Sequence, residues 1–190
     1  MGIFELPEGY AEIKRIHIQK DKKIAVLINL FSFAIAALLF PIGLAVTPIY
    51  FPSIMDNHFD LLILLLLLIG AMVLYVFGHE FVHGIFIKKY SGKKAKYGFT
   101  GLYAFAGSDA FFNKRQYLVI ALSPVIIFGN IFLLLNIFLP IEWFWFIFLL
   151  QIINCSGAAG DLYITYLMRK LPDDVLSQDE GIEMVFYSRK

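Results

Sequence analysis

The heptapeptide GHEFVHG, residues 78 to 84, sets two histidines four positions apart and places a glutamate directly after the first. On an α-helix, positions i and i+4 share a face, so His79 and His83 can offer two imidazoles to one ion. Glu80 sits beside them, able to reach a water at that ion without being a ligand. Zinc suits this donor set. It takes nitrogen and oxygen ligands, keeps an open position in catalytic sites, and lowers the pKa of a water to about 7. The composition of the chain would produce this pattern by chance about 0.007 times. The chemistry it suggests is metal-assisted hydrolysis with Glu80 as the base.

A hydrolytic zinc site calls for a third protein ligand. His17 lies in the N-terminal segment and His58 lies far from the motif, so a carboxylate is expected. The segment NCSGAAGDLY supplies Asp161, the charge inside the last apolar run. Asp109, in a polar connection, is the rival. Helix rise places His79 and His83 about 13 and 8 Å before Lys88, and Asp161 about 12 Å before Arg169. All three therefore reach a similar depth. On a continuous helix Asn154, Gly157 and Asp161 share one face, which makes Asn154 a candidate contact to the site, the substrate or an oxyanion. The small residues 157 to 160 permit close helix approach. Ser123 and Pro124 fall at a comparable level in another apolar run and are read as packing.

These residues need membrane helices to hold them. Of the 190 residues 59% are hydrophobic and 16% charged, with mean hydropathy +0.74. That excess excludes a soluble globular domain, a disordered chain and a disulfide-rich secreted fold. Net charge is +1, which argues against nucleic acid, and the single Cys155 makes no internal disulfide. The reading is an all-α membrane protein with about four transmembrane helices, near residues 24–49, 60–88, 117–139 and 141–168. Pro41 is expected to kink or end the first. Residues 1–23 are polar and carry no early apolar core of a cleaved signal, residues 24–170 form one membrane domain, and 171–190 form a tail. All 16 Lys and Arg fall before the first span, between the second and third, or after the fourth. The positive-inside rule then places both termini in the cytoplasm. The outer connections carry Asp56, His58, Asp60 and Glu142.

Between the second and third spans, the stretch 89–116 interleaves Tyr97, Phe99, Leu102, Tyr103 and Phe105 with small residues. The pattern fits short extended strands at the cytoplasmic interface, either as a plain hairpin or as an edge for an added substrate strand. No internal repeat supports a transporter, and the ionisable residues within the spans gather at one depth rather than crossing the membrane.

HEFVHGIFIKKY, GFTGLYAF, NKRQYLVIALSP and GDLY together resemble a bacterial family of membrane zincin peptidases, over about Phe77 to Tyr187. The HExxH helix followed by a small-residue helix with Asp is also similar to the site-2 group of intramembrane zinc metalloproteases. Two features depart from the site-2 pattern. Leu162 follows the Asp where Gly is usual, and the preceding prolines are absent. The resemblance implies His79, His83 and Asp161 as zinc ligands and Glu80 as catalytic base. The expected function is a zinc metalloprotease of the cell membrane that cleaves a membrane-embedded or membrane-proximal polypeptide near the cytoplasmic face. The alternative is a non-catalytic zinc-binding scaffold or immunity-type protein.

Overall fold

Long apolar runs give this chain its helices, and polar residues mark their ends. The computed structural model describes residues 2–17, 20–49, 58–101 and 103–189; Asp56 and Leu102 lie outside them. Helix α1 (Lys22–Val46) starts where the Asp21 carboxylate accepts the Ile24 N–H at 3.2 Å. It runs through Pro41 to Val46, so Pro41 does not end it. Helix α2 (His58–Ser91) carries the HExxH motif. Helix α3 (Lys114–Phe138) opens on a capping box, in which Asn113 and Gln116 each satisfy the other's backbone N–H.

The fourth apolar stretch is not one helix. After a 3₁₀ turn at Ile141–Trp143, α4 (Phe144–Gly157) ends at Ala158, and α5 (Ala159–Lys170) restarts there. Ala158 has ψ 10°, off the helical value. Four small residues in a row supply little side-chain packing to keep the helix straight. Asp161 consequently lies in the first turn of a new helix rather than on a face continuous with Asn154. Among the described residues, four helical segments are long and apolar enough to cross a membrane, the last being α4 and α5 together.

The fold is not all-α. Strands β1 (Tyr10–His17), β2 (Lys96–Phe99), β3 (Ala104–Asn113), β4 (Leu176–Asp179) and β5 (Glu183–Arg189) form one antiparallel sheet in the order β1-β5-β4-β3-β2. The 89–116 connection supplies β2 and β3, as its aromatic pattern suggests. The polar N-terminal segment and the C-terminal tail supply the other three strands and pair with each other, Tyr10 opposite Arg189. Their alternation is hard to read because bulges interrupt it, between Glu12 and Lys14 in β1 and between Ser108 and Phe111 in β3. The β1 bulge inserts one residue and inverts the inward and outward positions that follow it; the β3 irregularity inserts two and breaks the pairing without inverting the faces.

One face of the sheet closes the end of the helix bundle. Ile16, Phe112, Val175 and Phe186 from the sheet side pack with Ile87 of α2, Ile120 of α3 and Met168 of α5. A second cluster further along the bundle joins Tyr75 of α2, Phe132 of α3 and Ile147 and Leu150 of α4. His79 and His83 lie on α2 between the two.

Candidate metal centre

At 100° per residue, Tyr75, His79, Val82, His83 and Ile87 share the inner face of α2, and all five are buried. Phe81 and Ile85 point outward and are exposed. The motif thus turns its histidines inward and leaves apolar side chains on the outer face of the helix. Gly84 follows for a steric reason. A Cβ there would overlap the hydroxyl of Tyr97, the β2 residue seated over this turn of α2.

The break at Ala158 aims the Asp161 carboxylate at the two imidazoles. Its Oδ2 lies 3.4 Å from His79 Nε2 and its Oδ1 lies 3.6 Å from His83 Nε2. The two Nε2 atoms are 3.2 Å apart. A tetrahedron with bonds of about 2.1 Å has edges of about 3.4 Å, the separation found here. Donor chemistry and spacing both fit zinc. His79, Glu80 and His83 also offer ligand atoms within 4.8 Å of one another. The Asp161 side chain keeps 23% of its surface exposed, so the cluster is not sealed. Asp109, the rival carboxylate, is exposed and ion-paired with Lys96 at 2.6 Å.

Behind the histidines each Nδ1 has a partner. His83 Nδ1 lies 2.8 Å from the Ile120 carbonyl oxygen. His79 Nδ1 lies 3.0 Å from the Tyr75 hydroxyl, which donates to Asn154 Oδ1 at 3.1 Å. Asn154 Nδ2 donates to the Val125 carbonyl at 3.0 Å. Asn154 is fully buried, and both ends of its amide are engaged within the protein. Its contact to the site therefore runs through Tyr75. The spacing 75, 79, 83 could have marked Tyr75, one helical turn before the first histidine.

The sheet approaches the same place. The Ala106 backbone of β3 lies close enough to the Glu80 carboxylate to act on it. Asp179, at the end of β4, lies close enough to His83, Asp161 and Glu80 to act on them electrostatically. Burial pushes its carboxyl above the usual range, while the Tyr117 O–H and the Gly181 N–H pull it back. Sequence reasoning missed Asp179, because nothing local to it points at a motif almost a hundred residues earlier.

Residues 72–176, more than half the chain, match the model of a family described as "Putative zincin peptidase", and the chain belongs to that family. The matched stretch holds His79, Glu80, His83, Asn154 and Asp161. An "Uncharacterized 24.7 kDa protein in gap 5'region" of Pyrococcus woesei is 29% identical over 148 residues, which cover 75% of this chain and 63% of the relative. No solved structure matches the chain.

Proposed function

We propose that this member of the zincin peptidase family is a zinc metallopeptidase of the membrane, with His79, His83 and Asp161 as ligands and Glu80 as general base. The observation that carries the reading is the meeting of two Nε2 atoms and one carboxylate at 3.2 to 3.6 Å. With both Nε2 atoms unprotonated, three acceptors packed this closely are relieved of their mutual repulsion by a cation among them. Bound there, zinc would acidify water and polarise the scissile carbonyl.

The remaining steps belong to the chain. Glu80 takes the proton of the attacking water and returns it to the leaving amine. The Ala106 backbone of β3 lies beside its carboxylate. Tyr75 and the Ile120 carbonyl hold the imidazole rings. The partial exposure of Asp161 supplies a way in for water. The site stands on helices long enough to span a bilayer. That supports a polypeptide substrate within or beside the membrane, which must unwind locally before its peptide bond can be reached. Lys88 and Lys89 end α2 near the site, and the strands nearest the two ends of the chain, β1 and β5, pair in the adjoining sheet. With the distribution of Lys and Arg, this supports a cytoplasmic-facing centre.

Glu80→Gln tests the assignment. The variant is expected to hold zinc as the wild type does while hydrolysis falls about 10²–10⁴-fold. Full complementation of a deletion strain by Glu80→Gln would discard the enzyme in favour of a zinc-binding scaffold. Loss of zinc would put Glu80 in the ligand shell.

A further inference from the structure

Pro124 is buried in the interior of α3, where a proline has no N–H to give the carbonyl four residues earlier. That carbonyl belongs to Ile120. Its two lone pairs are instead filled by His83 Nδ1 at 2.8 Å and by the Ser123 hydroxyl at 3.0 Å. A carbonyl only accepts, so His83 must carry its proton on Nδ1, and the neutral ring keeps a lone pair on Nε2. The same logic reaches His79 from the other side of the proline. The Val125 carbonyl takes an N–H of Asn154, which turns Asn154 Oδ1 toward Tyr75. Tyr75 gives its one hydroxyl proton to that oxygen. Its own oxygen is then left to accept from His79 Nδ1, and His79 Nε2 is freed as well.

From this we infer that α3 is the positioning element of the metal centre: two of its carbonyls, flanking Pro124, fix which nitrogen of each histidine carries the proton and so aim both Nε2 lone pairs at the ion. Pro124 acts through the carbonyl it leaves unbonded, and Tyr75 relays the second carbonyl. This rests on the zinc reading above. Outer partners of this kind typically change metal affinity about 10–100-fold when lost.

The test is zinc affinity of the purified full chain in detergent, measured by chelator competition and paired with thermal melting. Pro124→Ala puts a third donor on a carbonyl with two lone pairs. Its affinity is expected to fall about 10–100-fold, with a melting temperature no lower than wild type, because alanine suits a helix interior better. Removing the Ser123 hydroxyl as well, in Ser123→Ala/Pro124→Ala, reopens one lone pair and should recover most of the lost affinity. Tyr75→Phe deletes one oxygen and should weaken zinc by a similar factor, and it carries the test if Pro124→Ala does not fold. Wild-type affinity in Pro124→Ala or in Tyr75→Phe overturns the inference. So does a Pro124→Ala loss that the double variant fails to rescue, since that outcome assigns the proline to packing. His83→Ala separates the two levels. If it binds zinc normally, the metal reading itself fails. If it loses zinc while Pro124→Ala and Tyr75→Phe do not, only the role of α3 falls.

Discussion

Asp161 occupies the position on which the identity of the site turns. Two histidines one helical turn apart occur in many packed helices, and a carboxylate meeting both Nε2 atoms is what makes them a three-donor set. Alanine at Asp161 should therefore lower the zinc content of the purified protein sharply, as should alanine at either histidine. Asp109→Ala should leave it at the wild-type level, because that carboxylate is committed to Lys96 at the surface. Metal analysis of the four variants side by side decides the point. Zinc retained in Asp161→Ala and lost in Asp109→Ala would reverse the assignment.

Among the elements, the strands formed by the two ends of the chain hold the sheet together, and Asp174 stitches them at their margin. It accepts the Arg189 N–H at 2.9 Å and the Ser188 hydroxyl at 2.8 Å, and its own carbonyl takes the Tyr10 hydroxyl at 3.1 Å. The Arg189 N–H, then the Ser188 hydroxyl, hold its carboxyl below the ordinary aspartate value. A carboxyl depressed in the folded state stabilises fully above its unfolded pKa, about 3.9, and loses that contribution as pH falls through the lower folded value. Asp174→Asn should thus melt earlier than wild type above about pH 4 and converge with it in stronger acid. Melting curves of both proteins across that range check the prediction. A gap that widens in acid would reject it.

For the molecule as a whole, pairing of β1 with β5 brings the segments near the two ends of the chain to one end of the bundle, the end that carries the basic close of α2. Reporter fusions at the two termini should therefore report the same side, and by the positive-inside rule that side is the cytoplasm. A reporter in the connection between α1 and α2 should report the opposite one. Termini on opposite sides would contradict the sheet. Termini both outside would keep the fold but move the metal centre to the other face.

Local chemistry alone determined the apolar spans and the HExxH motif. Burial of so much apolar surface needs no knowledge of neighbours, and the i, i+4 rule acts within one turn of helix. Matching depths nominated Asp161 because helix rise is a constant. What lay beyond reach were contacts between residues far apart in sequence. The β1–β5 pairing joins the two ends of the chain, and the irregularities at Glu12 and Ser108 interrupt the period-2 pattern that would have marked the strands. The break at Ala158, which turns Asp161 onto the histidines, falls within a run of small residues and has no proline to announce it. Pro124, read from the sequence as packing, frees a carbonyl by lacking an N–H. That the freed carbonyl receives His83 depends on α2 and α3 lying side by side, and only the tertiary structure decides that.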